Sequence, residues 1–520
     1  MVSGATTTTS VLIVASVICF LLGKSPKMTV SALSAATKGN IKKSFDLVVI
    51  GGGSAGLTAA KFAARFGKTV AIVESKRLGG DCTWTGCVPS KTMIASARAA
   101  HSISTASDFG IVNTVKPKVD LAVVRKRVQD AQKLIYDEDD SPEAMAKLGV
   151  NTIVGKAKFL SPKTLLVTND GREEEVEATG GVVICTGAAP VRPTNIPGLD
   201  SVTYLTYEEV WDLEELPERL TIVGGGPIGC ELAQVFGRLG STVTQIAGDC
   251  LLPRTEPEAG ATLQRIFEQE GINVIQERVT NVATSGTNKH VVTCSKGTQV
   301  TGDVLLVAVG RKPTVTGMDL EKLGVELNAK GGIQVNAQLV TTVKGLYAAG
   351  DCTGDAQFTH YAGYQGAVAA RNVLLPFSDP GVLADVPATT FTHPEVASVG
   401  MTEAQARAEL GDNDVSVAFK KMSGVDRAVC EGEKEGFIKI IYKTKGYQIL
   451  GATIMSPVAG EMIAEICVAM KAKLSFDMLA TVMHSYPAYS FELQAMAAEL
   501  YYDKLVKNKN LYNFLKFFGL

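Results

Sequence analysis

Two cysteines, Cys82 and Cys87, enclose a short segment that ends in Gly86. Five positions along a regular helix would place their side chains more than about 100° apart, so the sulfurs meet only if the helix is interrupted. Gly86 permits such an interruption, and Pro89 suits the first turn of a helix that begins near Val88. Cys87 would then lie at a helix N-terminus, where partial positive charge lowers the pKa of a thiol. The spacing favours redox chemistry over two buried structural cysteines.

A glycine-rich turn lies upstream of this pair. The apolar run 45–50 leads into the turn 51–56, helical spacing follows over 57–66, and strand character resumes over 69–74. This order is typical of a dinucleotide-binding unit, whose glycines allow a tight turn, close approach of a pyrophosphate and close helix packing. The candidate residues are Gly51, Gly53, Ser54, Gly56 and Glu74, and Glu74 would accept hydrogen bonds from a ribose. A dinucleotide beside two thiols predicts a flavin that exchanges electrons with a redox disulfide.

The same pattern occurs a second time. A strand over 220–223 runs into the turn 224–229, which is followed by a helix to Leu239 and a strand over 242–246. Two such units predict two dinucleotides, and the candidate residues of the second are Gly224, Gly226 and Gly229. At the end of the second strand the expected acid is missing or displaced to Asp249, and no arginine stands there for a 2′-phosphate. The choice between NADH and NADPH stays open.

The composition describes a multidomain globular chain. Its 520 residues are too many for one ordinary domain and indicate three or four. The 51 basic and 53 acidic side chains give a formal charge of -2, which argues against a nucleic-acid partner. The ten cysteines are dispersed, so they do not form the framework of a small secreted scaffold.

Residues 1–44 differ from the rest of the chain. They contain no Asp or Glu, and their apolar core, residues 11–23, is shorter than the roughly 20 residues that cross a bilayer. We expect a targeting leader, directed to a plastid or mitochondrion or into the endomembrane route, or else a short N-terminal anchor. An uncleaved leader is the one membrane contact that the sequence predicts.

The chain resembles the FAD-dependent pyridine nucleotide-disulfide oxidoreductases, the family of glutathione reductase, dihydrolipoamide dehydrogenase and mercuric reductase. The resemblance extends over about residues 45–507 and adds four motifs to the two glycine turns. They lie at 79–91, 185–187, 310–313 and 347–351. The resemblance implies FAD and NAD(P)H as cofactors, and a homodimer in which each active site borrows residues from its partner. Near the C-terminus the sequence resembles mercuric reductase more than glutathione reductase.

The resemblance also implies residue roles. Cys82 would be the thiol that meets the substrate, and Cys87 the thiol stacked on the flavin. Lys91 would pair with Glu231 near the flavin, and Asp351 would hold the ribityl chain. Further cofactor-binding residues implied by these motifs are Gly80, Thr186, Gly187, Gly310, Arg311 and Gly350. No resident metal ion is expected.

The implied fold class is α/β, with two Rossmann-like dinucleotide-binding domains, for FAD and NAD(P), and a C-terminal α+β dimerisation domain. After the leader 1–44, the expected segments follow in chain order. They are the first part of the FAD domain at 45–187, the NAD(P) domain at 188–312, the second part of the FAD domain at 313–385, the dimerisation domain at 386–507 and a tail at 508–520.

The chain departs from the family near its C-terminus. Disulfide reductases of this family usually carry a His immediately before a Pro and a Glu five residues after that His, as an acid/base dyad. Here Tyr486 precedes Pro487, and Phe491 stands at the position of the Glu. A phenol, with an ordinary pKa of about 10, accepts protons poorly near neutrality. His484 or Glu492 would have to take over the role of the dyad.

The expected function is an NAD(P)H oxidoreductase that passes electrons through FAD to a Cys82/Cys87 disulfide and on to a metal ion or other small acceptor. A dihydrolipoamide dehydrogenase or glutathione-disulfide reductase is the first alternative. An FAD-binding redox sensor with little turnover is the second. Residues 505–520 contain no cysteine pair of the kind that captures mercury, which counts against mercury as the specific acceptor.

Overall fold

The computed structural model describes residues 43–112, 117–286 and 289–517. The expected leader, 1–44, lies outside these ranges except for Lys43 and Ser44, which already belong to the first strand. In the described part of the chain, no helix is both long enough and apolar enough to span a bilayer.

The first region is built on a parallel sheet. Its elements are β1 Lys43–Ile50, α1 Ser54–Arg65, β2 Val70–Glu74, α2 Gly80–Trp84, α3 Cys87–Ser104, α4 Leu121–Ile135, α5 Pro142–Lys147, β3 Val150–Val154, β4 Lys156–Ser161, β5 Thr164–Asn169, β6 Arg172–Ile184 and β7 Ala188–Pro190. Strands β3, β2, β1 and β6 lie side by side and parallel, and the antiparallel strands β5 and β4 extend the sheet beyond β6. The continuous apolar runs of β1 and β2 are buried, as expected for parallel strands covered by helices on both faces.

The middle region repeats this architecture. Its elements are β8 Arg219–Val223, α6 Pro227–Leu239, β9 Thr242–Ile246, α7 Pro257–Gln269, β10 Asn273–Ile275, β11 Val279–Thr284, β12 His290–Cys294, β13 Gln299–Gly302, β14 Val304–Val307 and β15 Arg311–Pro313. A parallel sheet in the order β10-β9-β8-β14 is accompanied by the antiparallel sheet β11-β12-β13. The second predicted dinucleotide unit therefore forms. The end of α6 and the bounds of β9 are as predicted, and β8 begins one residue earlier than predicted.

The chain then returns to the first region through β16 Leu346–Ala348 and α8 Thr359–Leu374. Strand β16 adds to β6 in parallel. Helix α8 crosses α1 closely, since a Cβ on Gly366 would lie 2.0 Å from the carbonyl oxygen of Ala55. The contacting face of α1 consists largely of alanines. Small residues on both helices thus let their backbones approach closely.

The last region is an antiparallel sheet with helices. Its elements are β17 Ala388–Thr390, β18 Glu395–Gly400, α9 Glu403–Leu410, β19 Val415–Lys421, α10 Asp426–Glu431, β20 Phe437–Lys443, β21 Ile449–Ser456, α11 Ala459–Lys471, α12 Phe491–Lys507 and α13 Lys509–Phe517. The strand order is β17-β18-β21-β20-β19. The predicted fold class, two Rossmann-like units followed by an α+β domain, is confirmed.

A buried lysine joins the middle region to the last one. The Lys439 ammonium on β20 lies 2.8 Å from carboxylate oxygens of Glu256 and Glu258 and 2.9 Å from one of Glu403. Burial favours the neutral amine, but the hydrogen bonds from these carboxylates raise the pKa of Lys439. The three glutamates stand close enough to share a cation, and the lysine supplies it.

Replacing this lysine tests how strongly the two regions are coupled. We expect Lys439→Met to lower the free energy of unfolding by about 3 kcal/mol or more, because it leaves the buried Glu256 without its counter-charge. Urea denaturation followed by circular dichroism measures the loss. Lys445→Met, an exposed position in the same region, should change stability by less than about 0.5 kcal/mol. An equally small effect at Lys439 would contradict this account.

Candidate redox active site

The two cysteines lie at the junction of two helices. Cys82 belongs to the short helix α2, and Cys87 is the first residue of α3, one position earlier than the sequence predicted. A Cβ on Gly86 would lie 2.8 Å from the carbonyl oxygen of Asp81, so the turn between the helices requires glycine. The predicted helix interruption is therefore present, and the two side chains meet as hydrogen-bonded thiols.

The negative charge of the pair resides on Cys87. The hydrogen bond from Cys82 lowers the pKa of Cys87 to about 6, although burial opposes the change. The hydroxyl of Thr359, the first residue of α8, lies 3.2 Å from the Cys87 sulfur and further favours the thiolate. The same sulfur–sulfur hydrogen bond and burial raise the pKa of Cys82. The pair thus shares one proton, which stays on Cys82 near neutrality.

A lysine–glutamate pair lies beside the thiols. The Lys91 ammonium on α3 donates to Glu231 on α6 at 2.9 Å, the pairing that the family resemblance implied. The second oxygen of Glu231 accepts the backbone N–H of Phe391 at 2.9 Å, and the Lys91 ammonium lies 4.1 Å from the centre of the Phe391 ring. The charge of Lys91 contributes to the low pKa of Cys87. All three regions of the chain therefore meet next to the redox pair.

Side chains distant in sequence hold the segment between the cysteines. The Trp211 indole donates to the carbonyl oxygen of Thr85 at 3.0 Å, and the Thr83 hydroxyl donates to the buried Asp140 at 2.8 Å. Sequence reasoning missed both, because each contact joins residues 57 or more positions apart and neither Trp211 nor Asp140 belongs to a motif. Thr359 was missed for the same reason.

The two glycine turns have matching backbone constraints. At Gly51 and Gly224 the φ angles are +105° and +129°, and a Cβ would lie 2.3 Å and 2.2 Å from a carbonyl oxygen of the adjacent chain segment. At Gly56 and Gly229 a Cβ would lie 1.9 Å and 2.3 Å from the carbonyl oxygen of the first glycine of the same turn. These four positions need glycine for the turn and for close helix packing.

The middle glycines of the turns face open space. No atom lies within 4 Å of a Cβ built on Gly226, and the nearest to one on Gly53 is the Gly80 Cα at 3.7 Å. Ser54 follows as the first residue of α1. A side chain at either glycine would fill the space in front of a helix N-terminus, where a pyrophosphate binds. Both turns therefore fit a dinucleotide, and Gly80 places the redox segment against the first one.

Glu74 ends β2, as the sequence predicted. One carboxylate oxygen accepts the backbone N–H of Gly52 at 2.7 Å, and the other accepts that of Lys76 at 2.7 Å. Each oxygen keeps a lone pair for a ribose hydroxyl. The backbone contacts orient the carboxylate at the edge of the first turn.

An arginine joins the predicted ribityl-binding acid to the redox segment. Arg311 forms an ion pair of 2.7 Å with Asp351, a second ion pair with Asp81, and a hydrogen bond of 3.1 Å with the Tyr207 hydroxyl. Burial raises the pKa of Asp351, and Arg311 opposes that rise. Arg311 was predicted as a cofactor-binding residue, and its described contacts make it a positioning residue for Asp351 and Asp81.

The crossings between the first two regions lie next to each other. Strand β7 pairs antiparallel with β15, so the outgoing and returning chain segments run side by side. The Thr186 hydroxyl donates to the carbonyl oxygen of Thr314 at 2.6 Å. Gly187, Gly310 and Gly350 all have positive φ angles, of +67°, +133° and +79°. These predicted residues shape the crossing and the turn that precedes Asp351.

One inference about the second dinucleotide unit needs correction. The sequence showed no arginine near the end of β9, yet Arg278 lies 2.8 Å from Asp249 there. The two residues are 29 positions apart, and the parallel pairing of β10 with β9 brings them together. An arginine and a carboxylate therefore both stand at the end of β9, the position at which dinucleotide-binding units of this type generally recognise a ribose.

The predicted C-terminal residues occupy the last region. The Tyr486 hydroxyl donates to Asp426 at 2.8 Å, and this hydrogen bond raises the pKa of Tyr486. His484 Nε2 lies 2.8 Å from Glu465; burial favours the neutral ring, but this partner raises the pKa of His484. Glu492 forms an ion pair of 2.9 Å with Lys420. Within one chain these contacts stay inside the last region, so the structure does not bring Tyr486 or His484 to the cysteines.

Comparison with known proteins identifies two family regions. Residues 45–366 match the pyridine nucleotide-disulphide oxidoreductase model, and residues 386–497 match the dimerisation domain of the same family. Together they include both glycine turns, the cysteine pair and the antiparallel sheet.

Individual relatives agree with this assignment. A mercuric reductase of Bacillus cereus is 34% identical over 446 residues, which cover 85% of this chain and 69% of that protein. A dihydrolipoyl dehydrogenase of Bacillus subtilis is 32% identical over 451 residues, which cover 85% of this chain and 96% of that protein. The Cu(II) complex of the flavoprotein disulfide reductase RclA from Escherichia coli is similar in structure, with a TM-score of 0.78 and 28% identity, covering 88% of this chain and 99% of that one.

Removing the Thr359 hydroxyl tests the electrostatics of the pair. We expect Thr359→Val to raise the pKa of Cys87 above its value of about 6, because the thiolate loses a hydrogen-bond donor. The ultraviolet absorption of the thiolate, titrated with pH in the reduced protein and compared with Cys87→Ser, measures the change. Thr85→Val is the matched control, since that hydroxyl contacts Asp81. An unchanged midpoint in Thr359→Val would contradict the assignment.

Proposed function

Because this chain belongs to the pyridine nucleotide-disulphide oxidoreductase family, we propose that the Cys82/Cys87 pair delivers its electrons to a metal ion. The enzyme is an NAD(P)H-dependent flavin oxidoreductase with FAD as cofactor, and its dimerisation domain supports a homodimer. The identity of the electron acceptor is our proposal. It is argued from the groups in the site that can hold or transfer a proton.

The residues around the first turn would hold FAD, which transfers two electrons between NAD(P)H and the cysteine pair. Gly51, Gly53 and Gly56 leave room for its pyrophosphate, and Glu74 and Asp351 offer carboxylates to its sugar hydroxyls. The second turn, residues 224–229, would hold NAD(P)H in the same way. Lys91 places a positive charge beside Cys87 and stabilises the thiolate.

The observation that carries the proposal is the hydrogen bond from Tyr486 to Asp426. Reduction of an organic disulfide needs a base that takes the proton of Cys82, and an acid that protonates the departing thiolate. Tyr486 stands where disulfide reductases of the family place that base, yet its hydroxyl already donates to a carboxylate. Phe491, at the position of the partner acid, has no ionisable group. An organic disulfide would therefore be reduced slowly at this site.

A soft metal ion avoids the need for a base. Cations of this kind bind thiolates, and a thiol that coordinates such an ion loses its proton directly. Cys87 already offers a thiolate, and the ion would displace the proton of Cys82. Both side chains are partly exposed. The electrons balance when the thiol–thiolate pair becomes a disulfide, releases its one proton to solvent and reduces two Cu(II) ions to Cu(I).

The relatives support a metal acceptor. Several are mercuric reductases, and a similar structure is a Cu(II) complex. Residues 468–520 contain no cysteine, which counts against mercury as the specific acceptor. The proposed substrate is therefore a soft ion that reaches Cys82 directly, such as a copper ion.

A disulfide reductase is the second candidate. It is favoured by the hydrogen bond between His484 and Glu465, which is a histidine–carboxylate pair of the chemical type that the family uses. The 32% identity to a dihydrolipoyl dehydrogenase adds to it. In this case His484, presented across the homodimer, would replace the missing base.

Steady-state kinetics distinguish the two candidates. With NAD(P)H as donor, we expect kcat/KM for lipoamide and for glutathione disulfide to be at least about 100-fold below that for Cu(II), because the acid/base step is missing. Tyr486→His combined with Phe491→Glu should raise turnover of the disulfides. Cys82→Ser should abolish turnover of every acceptor.

Rapid turnover of either disulfide by the unmodified protein would refute the metal proposal and favour His484 as the base. A lack of turnover with all three acceptors would favour an FAD-binding redox sensor.

We also propose that residues 1–44 direct the chain to an organelle or into the endomembrane route. The absence of acidic residues and the short apolar core support this assignment. N-terminal sequencing of the native protein should find a start near Ser44, and an intact Met1 would count against cleavage.

A further inference from the structure

The C-terminal end of the chain extends past the family region. The dimerisation-domain match ends at residue 497, whereas α12 continues to Lys507 and α13 spans Lys509–Phe517. The redox chemistry derived above uses nothing in this extension. Its composition differs sharply from that of the whole chain, in which acids and bases nearly balance.

The extension is strongly basic. Asp503 is the last acidic residue, and the 17 residues that follow contain four lysines. One of them, Lys504, forms an ion pair of 2.8 Å with Asp477. The other three, Lys507, Lys509 and Lys516, are exposed. Three positive charges are thus concentrated at one end of the protein, facing solvent.

Helix α13 separates its polar and apolar positions. Lys509, Asn513 and Lys516 follow one another at intervals of four and three, which places them on one face of the helix. Phe514 lies on the opposite side of the helix, about 140° around the axis from Lys509. Such a helix, basic on one face and apolar on the other, is typical of segments that lie in a membrane interface.

Large apolar side chains are exposed at the same end. Phe514 and Phe517 on α13 are 59% and 83% exposed, and Tyr502 and Val506 on α12 are 62% and 68% exposed. Aromatic rings of this kind lie at the boundary between lipid headgroups and acyl chains. The rings and the three lysines together form one amphipathic surface, which we call the C-terminal basic surface (residues 502–517).

We propose that the C-terminal basic surface docks on an anionic lipid membrane. The lysines would contact acidic headgroups, and the aromatic side chains would insert into the interfacial layer. A second copy of the chain is a less suitable occupant, because a two-fold interface pairs the same surface of both copies, and this surface carries a net positive charge. The charge of the surface therefore favours an acidic lipid.

Vesicle sedimentation with the full-length, FAD-loaded protein tests the proposal. Partition coefficients are measured with phosphatidylcholine vesicles that contain or lack phosphatidylserine. The test variant is Lys507→Gln/Lys509→Gln/Lys516→Gln. The matched control, Lys156→Gln/Lys158→Gln/Lys445→Gln, removes the same charge from exposed positions elsewhere. Residues 1–44 are present in every variant. Any contribution they make to binding therefore cancels when the partition coefficient of each variant is divided by that of the unmodified protein.

We expect the test variant to bind phosphatidylserine vesicles about 100-fold more weakly, since each lysine near the surface contributes about fivefold. The control should change binding less than about twofold, and added salt should weaken binding of the unmodified protein. Phe514→Ser/Phe517→Ser should also bind weakly while remaining dimeric in sedimentation velocity.

Equal partitioning of the test variant and the control would overturn the proposal. So would dissociation of the dimer by Phe514→Ser/Phe517→Ser with vesicle binding unchanged, because that result would assign the surface to an interface between copies of the chain. Circular dichroism and flavin absorbance establish that each variant is folded.

Discussion

The hydrogen bond between the sulfurs of Cys82 and Cys87 is the interaction on which the rest of the site depends. It lowers the pKa of Cys87 and raises that of Cys82, so that the reduced pair carries one negative charge and one proton. This arrangement requires the two thiols to touch, and they touch because Gly86 breaks the helix between them. The chemistry of the enzyme thus begins with a backbone constraint at one glycine.

The rest of the chain keeps that contact in place. Thr359 reaches the Cys87 sulfur from the returning half of the first region, and Glu231 holds Lys91 from the middle region. The glutamate also accepts the backbone N–H of Phe391, which leads into the last region. A change in the packing of any of these regions would therefore alter the charge on Cys87.

The sequence predicted the parts of the site that lie within short motifs. Both glycine turns, the helix start at the cysteines and the strand end at Glu74 follow from local backbone requirements, which a sequence records directly. The predicted strand and helix bounds of the second unit agree with the structure to within one residue for the same reason.

Contacts between distant segments could not be predicted in this way. The fold alone brings three residues to the cysteine segment, namely Thr359, Trp211 and Asp140. None of them belongs to a recognisable sequence motif. Arg278 was missed at the coenzyme site because the pairing of β10 with β9, and not the spacing of residues, places it beside Asp249.

The proposed reaction begins when a soft metal ion binds the reduced pair and displaces the proton of Cys82 into solvent. Cd²⁺, which the pair cannot reduce, isolates this step from electron transfer. Proton release on titrating Cd²⁺ into the reduced protein near neutral pH, in weakly buffered solution, measures it directly. We expect release of about one proton per bound ion, and none with Cys82→Ser. Release of two protons, or failure of Cd²⁺ to bind, would contradict it.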